Sequence, residues 1–182
     1  MYNLEPIFPT YLHNVQVDIT QEDVDYCYQL REEDPEGTIK SNVGGWQSED
    51  FTSNNKLIES VINQTLEVFT KAPTLNNWWV NINKPNSYNG MHIHPGADMS
   101  GVIWIKIPED SGNLLFPNYN YFCRTREIEN YREEIIRDGS EYVVVPQSGN
   151  AILFPSFLQH GVTRNDSNED RISISFNLQF ID

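Results

Sequence analysis

The first residues in this sequence whose spacing could bind a metal are His92 and His94, which are separated by one residue. On a β-strand, residues two apart point to the same side, so both imidazoles could reach one cation. A neutral imidazole nitrogen is a common ligand for iron, zinc and copper near neutral pH. The same spacing also occurs on exposed strands. The pair alone is therefore compatible with two interpretations, a metal site and two histidines exposed to solvent.

A third histidine lies far along the chain, followed by a cation and a hydroxyl. His160 comes just after an apolar run, and Arg171 opens the last alternating run, with Ser173 on the same face. In an antiparallel sandwich, two distant strands could bring His160 to the earlier pair. A guanidinium can form a bidentate hydrogen bond with a carboxylate, and a serine hydroxyl can add one more hydrogen bond. The alternatives are a loop histidine at 160 and an ion pair of Arg171 with Glu169 or Asp170.

The elements that would position these residues are helical in the first half of the chain and extended in the second. Apolar residues recur at three- and four-residue steps from Leu57 to Phe69, which predicts a helix, and Thr20 is a candidate cap for an earlier helix that ends before Pro35. Alternating or β-branched runs predict strands at 15–17, 78–83, 102–107, 142–145, 151–154 and 171–178. This order predicts a mainly β fold, a sandwich or jelly roll buttressed by helices.

A single domain over residues 1–182 is expected, with helical support at 1–75 and a jelly-roll core at 76–182. A chain of this length buries roughly 70% of its unfolded surface and needs no disulfide to fold. The charged segment 124–137 indicates an insertion or lid between strands. Cys27 and Cys123 are too few for a disulfide framework or a thiolate metal site, and we assign them no role.

Composition excludes several classes of partner. The chain has 12 Lys and Arg against 26 Asp and Glu, a formal net charge of −14. This charge argues against nucleic acid, which needs clustered cations, and against an anionic membrane surface. No apolar run reaches the length of about 20 residues that spans a bilayer, and the N-terminus lacks the pattern of a signal peptide. A cytoplasmic protein is expected.

Taken together, His92-x-His94, His160 and Arg171-x-Ser173 resemble the motif of the iron(II)/2-oxoglutarate-dependent oxygenases: His-x-Asp/Glu, a distal His, then Arg-x-Ser. The stretches 87–96, 100–102 and 154–177 are similar to a family of small oxygenases of marine bacteria and their phages, which is distantly similar to prolyl 4-hydroxylases. The resemblance implies a double-stranded β-helix, iron(II) bound by His92 and His160, and 2-oxoglutarate held through its distal carboxylate by Arg171 and Ser173.

One position departs from that motif. His94 stands where the superfamily has Asp or Glu, and Asp98 is an alternative carboxylate ligand that requires the chain to turn back after Pro95. A carboxylate ligand lowers the net charge of the metal centre, so a third imidazole changes its electronics. Three-histidine sites occur in cupin-like dioxygenases. His94 is the preferred third ligand, and the use of 2-oxoglutarate is the open point.

Asn81, Asn83 and Trp104 are weaker site candidates. The two asparagines share a face of the strand before the histidine pair, where related enzymes place a polar side chain near the co-substrate. A hydrogen-bonded junction is the alternative for the asparagines. Trp104 could line the pocket or pack in the core. The structural role is the preferred interpretation of all three.

The resulting prediction is an Fe(II)- and 2-oxoglutarate-dependent dioxygenase that uses dioxygen to hydroxylate a substrate, with release of succinate and CO2. The sequence does not identify the substrate. The negative charge favours a neutral or basic target, and the prolyl hydroxylase resemblance makes a peptidyl side chain one candidate. The alternatives are a cupin-like three-histidine metalloenzyme without 2-oxoglutarate, and a non-enzymatic jelly-roll module. Oligomeric state is not predicted.

Overall fold

Two antiparallel sheets face each other in the structure, a computed structural model that describes residues 9–118 and 141–181. Within these residues the larger sheet has the strand order β1-β9-β6-β11-β4-β3, and the smaller has the order β2-β5-β10-β7-β8. The strands are β1 (His13–Gln16), β2 (Asn42–Val43), β3 (Trp46–Gln47), β4 (Thr74–Asn83), β5 (Tyr88–His92), β6 (Met99–Lys106), β7 (Leu114–Pro117), β8 (Glu141–Val144), β9 (Asn150–Pro155), β10 (His160–Val162) and β11 (Arg171–Gln179). The arrangement is a jelly roll, as predicted.

Two α-helices precede most of the described strands. α1 (Gln21–Glu33) begins after Thr20, whose backbone N–H donates to the Asp23 carboxylate at 2.9 Å. α2 (Lys56–Thr65) begins after Asn55, whose side-chain oxygen accepts from the first free backbone N–H groups, and it continues as a 3-10 turn (Leu66–Val68). These contacts satisfy helix-end donors that would otherwise lack partners. Both predicted helices are confirmed. Neither has the length and apolar character that crossing a membrane would require.

The period-two pattern of β11 sorts its side chains between two regions. Ile172, Ile174, Phe176 and Leu178 lie in the apolar layer between the larger sheet and the helices. Arg171 and the other odd-numbered residues therefore point to the opposite face, between the two sheets. A second apolar cluster lies there and contains Trp104, Phe116 and Phe154. Trp104 thus packs in the core, the role we preferred for it.

Most of the short strands were missed by sequence reasoning, because strands of two to five residues carry little periodicity. β2, β3, β5, β7 and β10 are in this class, whereas the four-residue strands β1 and β8 overlap the predicted strands at 15–17 and 142–145. β2 and β3 also add strands to the part of the chain expected to be helical support, while the single-domain division stays a prediction. The segment 124–137 and Cys123 lie outside the described residues. Cys27 is fully buried, and burial raises the pKa of its thiol to about 12.

Gly101 shows how tightly β6 and β11 pack. A Cβ atom at position 101 would overlap the ring of Phe176, which is completely buried. We therefore expect Gly101→Ala to lower the free energy of unfolding by about 1–3 kcal/mol, the usual cost of overpacking. Gly90→Ala is the control, because the nearest atom to its Cβ would be at 3.7 Å. Urea denaturation of both variants measures the difference, and equal stabilities would contradict the packing argument.

Candidate metal centre and co-substrate pocket

Three histidines meet at one end of the space between the sheets. The ligand nitrogens of His92, His94 and His160 all lie within 4.8 Å of one another, and the Nε2 atoms of His94 and His160 are 3.2 Å apart. His160 begins β10 and pairs directly with His92 at the end of β5. Cross-strand pairing thus brings together residues that are far apart in sequence. Sequence reasoning had placed His92 and His94 on one strand, but β5 ends at His92 and His94 lies two residues beyond it.

The rings of His92 and His160 are oriented by backbone carbonyls. Nδ1 of His92 is 2.7 Å from the carbonyl oxygen of Gly90, and Nδ1 of His160 is 2.8 Å from that of Leu158. A carbonyl oxygen can only accept a hydrogen bond, so each Nδ1 carries the proton when the ring is neutral. The Nε2 lone pair of each ring is left free for a metal.

Burial keeps the three rings neutral. Burial, together with the nearby histidines, lowers the pKa of His160 to about 3 and that of His94 to about 4. Burial also lowers the pKa of His92, although the hydrogen bond to the Gly90 carbonyl raises that pKa in part. A metal that binds neutral imidazole would therefore displace no proton at neutral pH.

The separation of the His94 and His160 nitrogens fits two ligands of one first-row metal ion such as iron(II). Imidazole nitrogens that bind one such ion at about 2.1 Å are roughly 3.0–3.4 Å apart at octahedral or tetrahedral angles. The 3.2 Å separation of His94 and His160 is within this range. Asp98, the alternative ligand, is not in the histidine cluster, since its carboxylate accepts from the backbone N–H of Phe180 at 2.8 Å.

The lowered pKa values predict that the metal-free protein loses stability in mild acid. Above pH 6.5 the rings are neutral in both folded and unfolded chains. As the pH falls below 6.5, the unfolded chain binds protons and the folded chain does not, so stability falls until the pH reaches the folded pKa values. The slope approaches about 1.4 kcal/mol per pH unit for each histidine. Urea unfolding at pH 7, 6 and 5 measures it. A His160→Gln variant with the same slope would contradict the assignment.

Arg171 is a buried cation without an ion-pair partner among the residues that the structure describes. Its side chain is 2% exposed, its Nε has no hydrogen-bond acceptor, and no carboxylate of the described residues forms an ion pair with it. Burial lowers the pKa of the guanidinium to about 10. The predicted alternative partners are engaged elsewhere, because Glu169 pairs with Lys106 and Asp170 with Arg31, each at 2.9 Å. A buried unpaired charge is costly, which indicates that an anion completes this site.

Arg171 and the histidines line the same narrow cavity, of about 40 Å³. Ser173 and Asn81 also line it, and the two are direct partners across the β11–β4 pairing. Asn81 donates to the Ser175 hydroxyl at 3.0 Å, while its side-chain oxygen is buried without a partner. Asn83 lies outside the lining and donates to the Asn89 side chain at 3.0 Å. The cavity thus brings together the three histidines, Arg171, Ser173 and Asn81, whereas the candidates Asn83 and Trp104 lie outside its lining.

A wider groove of about 890 Å³ opens beside two of these histidines, His92 and His94. Trp79, which lines both spaces, stacks on His94 with ring centroids 5.4 Å apart. Lys40 and Asp50 form an ion pair at 2.7 Å in this groove, and the Lys40 ammonium lies 5.7 Å from the Trp79 ring. Sequence reasoning missed these residues. The position of Trp79, two before Asn81 on β4, could have indicated its face, whereas Lys40 and Asp50 carried no local signal.

A jelly roll with a neutral three-histidine cluster and a buried cation in one cavity defines the class of non-haem metal oxygenases that bind an acidic co-substrate. The family model described as "Putative 2OG-Fe(II) oxygenase" matches residues 77–177, more than half of the chain. The chain belongs to this family, and is an enzyme that uses iron(II) and 2-oxoglutarate. No curated protein matches this chain in sequence.

Solved structures share the fold at low sequence identity. A prolyl-4-hydroxylase of Pseudomonas putida is 13% identical, with a TM-score of 0.63 over 95% of this chain and 94% of its own. A viral collagen prolyl hydroxylase of Paramecium Bursaria Chlorella virus-1, in complex with 2-oxoglutarate, is 13% identical, with a TM-score of 0.59 and coverages of 94% and 97%. HygX of Streptomyces hygroscopicus, with nickel and 2-oxoglutarate bound, is 14% identical, with a TM-score of 0.58 and coverages of 93% and 83%.

Proposed function

We propose that this oxygenase hydroxylates a C–H bond, with iron(II) held by His92, His94 and His160 and with the distal carboxylate of 2-oxoglutarate held by Arg171 and Ser173. The observation that carries this proposal is the buried guanidinium of Arg171, which has no ion-pair partner among the described residues and lines the same cavity as the three histidines. A dicarboxylate reaching from the guanidinium toward the metal would supply the missing anion.

The reaction balances as 2-oxoglutarate, dioxygen and R–H giving succinate, CO2 and R–OH, with one oxygen atom of dioxygen in succinate and the other in the hydroxyl group. Bound iron(II) supplies the redox chemistry. Arg171 neutralises the distal carboxylate and orients the co-substrate, and Ser173 adds a hydrogen bond. Asn81 lines the same cavity and its side-chain oxygen has no partner, so it is the second candidate contact for the co-substrate, whereas Asn83 is bonded to Asn89 outside the cavity.

The apolar wall beside the histidines excludes water from the reacting groups. The ring of Phe154 packs edge-on against His160, with centroids 4.7 Å apart, and Leu114 and Val162 also line the inner cavity. Such a wall limits hydrolytic and oxidative side reactions and strengthens electrostatic contacts inside the site.

The primary substrate binds in the outer groove in this proposal, because the groove reaches both His92 and His94. The charged side chains lining it among the described residues are Lys40 and Asp50, which neutralise each other. A neutral group is therefore favoured. A peptidyl side chain is the candidate class, supported by two structural neighbours that are prolyl hydroxylases. The groove volume is within the range of protein ligand sites.

Anaerobic titration tests the proposal. The purified protein is first loaded with iron(II), its metal content is measured by elemental analysis, and 2-oxoglutarate is then added while the metal-to-ligand absorption band is followed. One iron per chain and a saturable band are expected. Iron without the band would favour the cupin-like alternative, and no stoichiometric metal would favour a non-enzymatic module. An added peptide that stimulates succinate release would support the substrate class.

A further inference from the structure

Gln47 contributes a buried amide to the wall of the outer groove. The residue is 1% exposed, and its Nε2 has no hydrogen-bond acceptor among the described residues. Two other amides of the groove differ, since Nδ2 of Asn77 donates to Asp50 at 3.1 Å and Nδ2 of Asn177 donates to Asn77 at 2.9 Å. Native proteins almost always provide a protein group, a water or a ligand for a buried donor, because an unpaired one costs free energy. Gln47 therefore indicates an acceptor that enters the groove.

The backbone around Gln47 is held on both sides. Its carbonyl oxygen accepts from the N–H group of Thr38 at 2.8 Å. The N–H group of Ser48 donates to the Val80 carbonyl at 3.0 Å, and the Ser48 hydroxyl accepts from the Val80 N–H group at 2.9 Å. These contacts fix β3 against β4 and against the preceding segment. The position of the Gln47 amide is therefore set by the fold.

Strand register places Gln47 beside the inner cavity. Gln47 on β3 is paired with Asn81 on β4, and Asn81 is paired with Ser173 on β11. Residues directly opposite each other in an antiparallel pair point to the same face, with Cβ atoms about 4.5–5.5 Å apart. Asn81 and Ser173 line the inner cavity, whereas Gln47 lines the outer groove. A group in the groove that contacts Gln47 therefore lies next to the co-substrate.

The surroundings of Gln47 favour an uncharged acceptor. Lys40 and Asp50, the charged side chains that line the groove among the described residues, pair with each other at 2.7 Å. A neutral amide donor cannot by itself compensate the burial of a carboxylate, which needs an opposite charge. Another part of the wall consists of three exposed apolar side chains: Val43, Met91 and Ile93. A peptide offers both a neutral carbonyl oxygen and side chains for apolar contacts.

We propose that Gln47 is a specificity-determining residue: its side-chain amide donates a hydrogen bond to a main-chain carbonyl oxygen of the peptide substrate, beside the residue that is hydroxylated. The inference rests on the proposed function in one respect, that the groove binds a peptide. A buried donor selects substrates that supply the acceptor, because an analogue without it leaves the donor unpaired. Loss of one neutral hydrogen bond is expected to lower the affinity about three- to tenfold.

Peptide binding to a protein that cannot turn over tests the inference. The protein is loaded with zinc and 2-oxoglutarate. The probe comes from a capped hexapeptide library without acidic residues, and is the peptide that most stimulates succinate release by the iron-loaded enzyme. We expect Gln47→Met to bind it about three- to tenfold more weakly and to remain as stable as the wild type, because an unpaired donor is removed. Gln29→Met is the matched control, since Gln29 is exposed on α1, donates to Glu33 and should not affect binding.

An ester scan of the probe locates the hydrogen bond. Each peptide bond is replaced in turn by an ester, whose carbonyl oxygen is a weaker acceptor. One replacement should weaken binding to the wild type and have little further effect in Gln47→Met. A general change in groove shape would not give this coupling. In the wild type, the side-chain NH2 protons of Gln47 should shift downfield in the NMR spectrum when the peptide binds.

Equal affinities of the wild type and Gln47→Met, or ester effects that are independent of Gln47, would overturn the inference and leave the oxygenase function standing. An NH2 signal of Gln47 that is unchanged by the peptide would also overturn it, because the acceptor would then be a fixed water. If no library peptide stimulates succinate release, although calorimetry shows binding of zinc and 2-oxoglutarate, the peptide class and the role of Gln47 would both be refuted. The metal and co-substrate assignments would then still stand.

Discussion

Replacing Arg171 with methionine is expected to abolish 2-oxoglutarate binding and, at the same time, to make the ligand-free protein harder to unfold. These opposite effects follow from one fact, the burial of an unpaired guanidinium. Truncating one partner of a buried charge pair costs about 2–5 kcal/mol of binding, or roughly a 30- to 4,000-fold loss of affinity. In the ligand-free protein, replacing buried charge by an apolar side chain of similar volume stabilises by up to about 4 kcal/mol.

Two comparison variants separate the charge of Arg171 from its shape. Arg171→Lys retains a cation but loses the planar fork, so an intermediate affinity is expected. Arg164→Met removes an exposed arginine that pairs with Asp166, and should change neither affinity nor stability by a measurable amount.

The measurements for Arg171 are anaerobic calorimetry with 2-oxoglutarate and urea unfolding with and without it. In the wild type, 2-oxoglutarate at 100 times its dissociation constant should add about 2.7 kcal/mol of stability. Arg171→Met should show no such increase. A methionine variant that binds 2-oxoglutarate as tightly as the wild type would refute the assignment of the distal carboxylate to this residue.

Replacing His94 with alanine is expected to abolish stoichiometric iron binding, whereas Asp98→Asn should leave it intact. The reason is geometric, because Nε2 of His94 lies 3.2 Å from that of His160, while the Asp98 carboxylate accepts from a backbone N–H and is not in the cluster. Loss of a ligand should cost more than the roughly 100-fold that loss of a supporting contact can cost.

Asparagine is the suitable replacement at position 98, because its side-chain oxygen can still accept from the Phe180 N–H and preserve the local fold. Iron content after gel filtration and zinc affinity by competition measure both variants. Iron retained by His94→Ala but lost from Asp98→Asn would show that the carboxylate is the third ligand, and that the chain turns back after Pro95 when metal binds.

Helices, long strands and the sidedness of β11 could be predicted from the sequence, because each depends on local periodicity. The alternation of Arg171 and Ser173 with Ile172 and Ile174 already places the polar residues on one face. The histidine spacing likewise restricted the candidate ligands to a few positions. The preferred core role of Trp104 also agrees with the structure, since a large apolar ring between Ile103 and Ile105 indicates burial.

Only the tertiary structure decided which distant residues meet, because such contacts depend on strand pairing and carry no local signal. The His92–His160 pairing joins β5 and β10, two strands too short to predict. Within the described part of the chain, Arg171 on β11 has no carboxylate partner, although two acids precede it in the sequence. Asp50 and Asn177 are separated by most of the chain, and the β4–β11 register alone connects them, through Asn77. Residue types and their alternation thus define the chemistry available, and long-range pairing defines which groups share one cavity.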